Sequence, residues 1–209
     1  FLDRTQSNRE LYGEDLTMKV VAFNGSPRKG GNTETLTRCV LAELEREGIE
    51  TELVQLGGKA VRGCVACTKC FENLDKRCAI DSDVINSCIA KMVEADGIIL
   101  ASPTYFADAS TEIKALIDRA GLVARANDDM FRRKVGAAVV AVRRAGAVAA
   151  FDSINHMFAI SQMIIPCSIY WNLGIGLRPG DVNEDEEGLK TMQVLGQNMA
   201  WLLKKLHQD

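Results

Sequence analysis

Five short apolar runs recur along the chain, and each is followed by a stretch with the spacing of an amphipathic helix. "MKVVAFNGS" (18–26), "DGIILASP" (96–103) and "KVGAAVVAV" (134–142) are continuous apolar runs rich in β-branched residues, as strands buried on both faces require. "IETELVQL" (49–56) alternates, and "PCSIYW" (166–171) reads as a last strand. Helices are expected over about 33–48, with Thr33 as cap, and over 83–95, 110–124, 150–164 and 185–207. The closing one carries Leu189, Met192, Leu195, Met199, Leu202 and Leu206 on one stripe.

Parallel strands need crossover helices, so this alternation predicts a parallel sheet with helices on both faces. The rhythm fits an α/β, flavodoxin-like three-layer sandwich with five strands in the order 2-1-3-4-5, whose ligands bind at the strands' carboxyl ends. A chain of 209 residues can bury a core without disulfides, and one domain over 18–209 is expected, with 1–17 as an N-terminal extension. The formal net charge of −3 argues against non-specific nucleic-acid binding. No apolar run is long enough to span a bilayer and 1–17 has no signal-peptide core, so no membrane association and a cytoplasmic location are expected.

The loop "GSPRKGGNT" (25–33) lies between the first strand and its helix, where unpaired N–H groups and partial positive charge suit an anion. Ser26, Asn32 and Thr33 add donors and Arg28 adds charge. The nucleoside-triphosphate loop does not fit, because Gly31 and Asn32 stand where its Lys and Ser/Thr belong. The dinucleotide fingerprint fails at Pro27. A cradle for one terminal phosphate is left, against the plainer reading of a glycine-rich connection. After the third strand, "SPTYF" presents Pro103, Thr104, Tyr105 and Phe106, whose aromatics could flank a flat ring or simply pack. "VRRAGA" (142–147) leaves the fourth strand, with a glycine that permits close approach to a ligand.

Between residues 57 and 82 the cysteines Cys64, Cys67, Cys70 and Cys78 follow a C-x2-C-x2-C-x7-C pattern. Such spacing suits thiolates around an iron–sulfur cluster. Structural zinc more often takes two separated pairs. Lys69, Lys76 and Arg77 could equally activate metal-free thiols. All three occupants stay open on spacing alone. Cys39, Cys88 and Cys167 are expected to be small buried hydrophobes. His156 and His207 stand in no catalytic arrangement, and neither a G-x-S-x-G nor an H-E-x-x-H motif occurs, so no side-chain catalyst is assigned.

"GSPRKGGNTETL", "SPTYF", "KALIDR" and "GDVNEDEEGL" together resemble the NADPH-dependent FMN reductase superfamily. With "GCVACTKC" and Cys78 added, the chain is most similar to its iron–sulfur flavoprotein branch, over roughly residues 18–205. The resemblance implies FMN, with its phosphate on Ser26, Arg28, Asn32 and Thr33. It implies a ring site walled by Pro103, Thr104, Tyr105 and Phe106, with Arg144, Ala145 and Gly146 as further contacts. Relatives often carry Gly-Gly-Gln in that third loop, whereas Gly146 here precedes Ala147 and Val148. A [4Fe–4S] cluster on Cys64, Cys67, Cys70 and Cys78 is implied as well, as is a homodimer or tetramer. The activity implied is that of a flavin oxidoreductase taking electrons from NAD(P)H or ferredoxin and reducing quinones, other small acceptors or oxygen species. The alternatives are an electron carrier without its own substrate and a non-catalytic flavin- or zinc-binding module.

Overall fold

The computed structural model describes residues 18–207; the expected extension over 1–17 lies outside the described residues. Strand β1 (Lys19–Asn24) leads to helix α1 (Asn32–Arg46), β2 (Glu50–Gln55), the short α2 (Lys69–Asn73) and α3 (Ile85–Glu94). Then come β3 (Gly97–Pro103), α4 (Thr111–Ala126), β4 (Val135–Val142), α5 (Ala147–Ile160), β5 (Leu173–Ile175), one 3-10 turn (Asp181–Glu184) and α6 (Glu186–Leu206). The five strands are parallel and ordered β2-β1-β3-β4-β5.

Successive side chains of a strand point to opposite faces, and this chain fills both with apolar residues. Val21, Phe23, Ile98, Leu100, Ala138 and Val140 face the core made with α3, α4 and α5. Val20, Ala22, Ile99, Ala101, Ala137 and Val139 face the opposite core, under α1 and α6. At the α1–α6 contact a side chain on Gly196 would meet Val40 O and Glu43 Cβ, each at 2.7 Å, so the two backbones approach as only glycine allows.

The last strand is not the expected 166–171. Ile164 pairs with the foot of β4, receiving a hydrogen bond from Gly136 N–H (2.9 Å) and donating one to Lys134 O (2.9 Å). Pairing resumes only at β5, where Asn172 O accepts from Val140 N–H (2.9 Å). The chain between them leaves the sheet edge through Pro166, which has no N–H to give a ladder, and exposes about half of Tyr170 and Trp171. Three further expectations are corrected. Gly31, not Thr33, is the cap of α1, and Thr33 is a buried first-turn residue. Cys167 is exposed and Cys39 half-buried, while Cys88 alone of the three is fully buried. Leu203 rather than Leu206 completes the buried stripe of α6.

Candidate functional site

The order β2-β1-β3 reverses the direction in which the sheet is wound, and the loops leaving β1 and β3 part there to form a crevice. A cleft of about 180 Å³ occupies that position, lined by residues of the loops after β1, β3, β4 and β5. Ser26, Arg28, Gly31, Asn32 and Thr33 form one wall, with Pro103, Thr104 and Tyr105 beside them. Ala141, Val142 and Arg143 supply the wall from β4, and Gly176, Leu177 and Pro179 close the side next to β5.

Local hydrogen bonds explain the shape of the first loop. Asn24 Oδ1 accepts from Ser26 N–H at 3.0 Å, and Asn24 Nδ2 donates to Gln55 Oε1 at 2.9 Å. Gln55 Nε2 in turn donates to Ser26 O (2.7 Å) and Gly57 O (2.8 Å), so β2 holds the loop after β1. The ends of those two loops are so close that a side chain on Gly57 would lie 2.3 Å from the carbonyl carbon of Ser26. Helix α1 then opens into the cleft with no side-chain cap from Gly31. By contrast, the Ser110 hydroxyl caps α4 and Asp185 caps α6. The N–H groups of the first turn of α1 thus stay available to an anion, with Arg28 and Arg143 as cations on the same cleft. Glu34 accepts from Gly30 N–H at 2.7 Å and pairs with Arg38 at 2.8 Å, turning its charge away toward the helix flank. That N–H bond, more than the cation, holds its carboxyl below the usual range.

The second wall is a tight hairpin. Tyr105 and Asp108 exchange both backbone hydrogen bonds, at 2.9 and 3.0 Å, around Phe106 and Ala107, which have φ of 49° and 61°. Two successive left-handed residues make a turn that glycine usually occupies. Thr104 is fixed by its N–H and hydroxyl, both donating to Ala141 O at 2.8 and 3.1 Å. Phe106 is fully exposed at the tip and is not among the residues lining the cleft. Arg144, Ala145 and Gly146 do not line it either; the contact from that loop is Arg143. Gly146 instead starts α5 with φ of 87°, packed against Ala107 and Thr104.

The far wall was not visible in any motif. Asp181 accepts from Leu177 N–H (3.1 Å) and Arg178 N–H (2.7 Å), and Asp185 accepts from Ile175 N–H (2.6 Å) and Gly188 N–H (3.0 Å). Within the acidic "GDVNEDEEGL" run, Asp181 and Asp185 are thereby backbone clamps that shape residues 175–178 and the start of α6. Asp181 and Asp185, each set among turn residues, are the signal that could have shown this.

The four cysteines lie between β2 and α3 and share no lining residue with this cleft. Cys64, Cys67, Cys70 and Cys78 line one cavity of about 130 Å³ with Phe71, Leu122 and Val123. Ala66, Thr68, Leu74 and Lys76 have positive φ, so the backbone curls sharply between the thiols. Ala66 N–H donates to Cys64 Sγ at 3.4 Å. Among the described residues no three His, Cys, Asp or Glu side chains converge on the point that a single metal ion would need. Arg119 of α4 also reaches the cavity, and sequence reading passed over it within "KALIDR". Its guanidinium pairs with Asp83 at 2.6 Å, both side chains being almost wholly buried. Burial works against both charges. Arg119 and the N–H groups of Arg62 and Ile85 nevertheless hold the Asp83 carboxyl below its usual range, while Asp83 and Cys78 raise the pKa of Arg119.

Comparison with known proteins agrees with this architecture. Residues 18–177 match the NADPH-dependent FMN reductase family. An iron–sulfur flavoprotein of Methanocaldococcus jannaschii is 40% identical over 194 residues, covering 90% of this chain and 98% of the relative. One from Methanosarcina thermophila is 32% identical over 194 residues, covering 92% and 98%. Among solved structures, RosB with bound 8-demethyl-8-formylriboflavin-5'-phosphate shares 18% identity at a TM-score of 0.68, over 92% of this chain and 81% of that one. An archaeal flavodoxin shares 17% identity at a TM-score of 0.57, over 90% and 99%. On its fold, its matched residues and these relatives, the chain belongs to the NADPH-dependent FMN reductase family, in its iron–sulfur flavoprotein branch.

Proposed function

We propose that the protein is an FMN-dependent oxidoreductase that takes electrons from NAD(P)H or ferredoxin and passes them to quinones, other small acceptors or oxygen species. The observation that carries this reading is the cleft at the sheet's switch point, where an uncapped helix start and two arginines stand beside an apolar wall. That donor set fits a phosphorylated, flat, uncharged ring better than a polyphosphate, for which a lysine and a metal-binding hydroxyl would be needed. Ser26, Arg28, Thr33 and the first-turn N–H groups of α1 would hold the phosphate. Pro103, Thr104 and Tyr105 would flank the ring, with Arg143 next to it. FMN, when bound, supplies the one- and two-electron chemistry. The chain's own part is to bind, to orient and to leave one side of the cleft open to a donor. No side chain is assigned a proton transfer.

Cys64, Cys67, Cys70 and Cys78 would hold a [4Fe–4S] cluster. The four cysteines line one small apolar cavity, and their close spacing suits a thiolate-bound cluster. On this reading residues 57–82 form a cysteine-rich insertion within a domain over 18–209, and the protein works as a cytoplasmic homodimer or tetramer. The relatives from Methanocaldococcus jannaschii and Methanosarcina thermophila are called iron–sulfur flavoproteins, which supports the pairing of the two groups.

The experiment is an anaerobic absorbance spectrum with flavin, iron, sulfide and zinc quantified on one sample, followed by rapid mixing with NADH, NADPH or reduced ferredoxin. Bleaching of the flavin band by a nicotinamide nucleotide supports the oxidoreductase. Reduction by ferredoxin alone, with no turnover of a small acceptor, would make the protein a carrier. Protein that takes up no FMN sinks the proposal.

A further inference from the structure

Arg119 has the largest side chain among those fully withdrawn from solvent. A guanidinium is so hydrophilic that burying it requires a partner for each of its nitrogens. Here every nitrogen has one. Nη1 donates to Asp83 Oδ2 at 2.6 Å and to Arg62 O at 3.0 Å, and Nη2 donates to Ile80 O at 2.6 Å. Nε donates to Cys78 Sγ at 3.2 Å. Three of these four bonds grip the loop that carries the cysteines, and the fourth ends on a cysteine sulfur.

Cys78 is held from its backbone side too. Its N–H donates to Asn86 Oδ1 at 2.8 Å, and Asn86 Nδ2 donates back to Cys78 O at 2.9 Å. Asn86 is itself buried. The last of the four cysteines is therefore locked to α3 through Asn86 and to α4 through Arg119, while Cys67 is exposed on its loop.

We propose that Arg119 is a positioning residue for Cys78, which fixes that sulfur against α4 and gives it an N–H donor when it serves as the fourth ligand of the cluster. This rests on the reading of the four cysteines given above. Asp83 aligns the planar fork, and one charge balances the other. The sulfur then receives a directed hydrogen bond without an excess cation being buried. Adding an electron to a thiolate-bound cluster makes its sulfurs more negative, so a donor at Cys78 favours the reduced state and raises the potential.

The test uses the full chain, reconstituted anaerobically with iron and sulfide, in three forms. They are the natural protein, Arg119→Lys, and the double variant Arg119→Met with Asp83→Leu. The double variant replaces a buried ion pair by apolar groups of similar bulk, a change that commonly preserves folding. Uptake of FMN reports that the fold is intact, since Arg119 does not line the flavin cleft. Bound iron, sulfide and the midpoint of a spectroscopic redox titration are then read. The expected result for the double variant is a cluster about tenfold harder to reduce, a midpoint roughly 59 mV lower for one electron, or loss of a cluster from protein that still takes up FMN. Arg119→Lys, which keeps the charge without the fork, should fall between. Full iron content with an unmoved midpoint in both variants overturns the role of Arg119 and leaves the cluster reading standing. Natural protein that takes up neither iron nor sulfide sinks the cluster reading, and this inference with it.

Discussion

The side chain of Asn32 accepts a hydrogen bond from Gly180 N–H at 2.9 Å, tying the first residue of α1 to a loop 148 positions later. Its Nδ2 donates to Arg178 O, also at 2.9 Å. Both ends of the amide are thus committed to the opposite wall of the cleft. Asn32 thereby straps the two walls and sets the width of the cleft, while its amide NH2 has a second hydrogen to offer a ligand. A side chain at Gly176 would come within 2.5 Å of its Nδ2, so the strap leaves no room on that wall.

Replacing Asn32 by Ala removes two such bonds, each contributing about 1 kcal/mol. The expected outcome is an FMN affinity weaker by roughly tenfold to thirtyfold, mostly through faster release. Titration and stopped-flow release followed by flavin fluorescence check it. An affinity within twofold of the natural protein would show that the strap is not needed.

Arg28 and Arg143 share the cleft, and on the proposed reading Arg28 is the one that holds the phosphate. Arg28→Ala should cost about 1.5–3 kcal/mol of FMN binding, as a charge-assisted hydrogen bond does. Binding of riboflavin, which lacks the phosphate, should stay within about twofold. Equal losses for both ligands would place the arginine elsewhere than on the phosphate.

A methyl group at Gly25 would lie 2.3 Å from Ile113 Cγ1 and 2.7 Å from Ser110 Oγ, the cap of α4. Gly25→Ala should therefore destabilise the fold by about 1–3 kcal/mol through overpacking. For a chain of this length that is a fall in melting temperature of roughly 2–10 °C, measurable by calorimetry. FMN affinity should drop as well, because the first loop moves with Gly25.

Asp83 supplies a pH signature. Its folded pKa is lowered by Arg119 and two backbone N–H groups despite burial, so its stabilising effect is complete above the unfolded value of about 3.9 and is lost as the pH falls through the folded one. Asp83→Asn should cost about 3 kcal/mol or more at neutral pH, where it leaves Arg119 buried without its counter-charge. The gap in melting temperature between Asp83→Asn and the natural protein should then narrow below about pH 4. A gap that is constant from pH 7 to pH 3 would contradict the assignment.

Thiol chemistry separates the cysteines of metal-free protein. Burial pushes the Cys88 thiol up to about 11, whereas Cys67 and Cys167 are exposed. Brief alkylation at pH 8 followed by peptide mass spectrometry should label Cys67 and Cys167 first. Cys88 should lag by about a hundredfold or more, its rate set by the thiolate fraction and by access.

Much of this molecule is local in origin. β1, β3 and β4 are unbroken apolar runs whose alternate side chains serve the two cores, and that double burial is written in their composition. The glycine-rich turn into α1 and the spacing of Cys64, Cys67, Cys70 and Cys78 are likewise properties of neighbouring residues, so the cleft and the cysteine cavity could be anticipated where they lie. Tertiary structure decided what depends on distant partners. "PCSIYW" has strand composition, yet the edge of β4 pairs with Ile164 and with residues 173–175 and leaves it out. Arg119 reads as one more charge on a helix until folding brings Asp83 and Cys78 to it, 36 and 41 positions away. Periodicity reports which face of an element is apolar, because that is settled within a few turns. Which polar group meets which is settled by loop closure across the sheet, and no local pattern carries that distance.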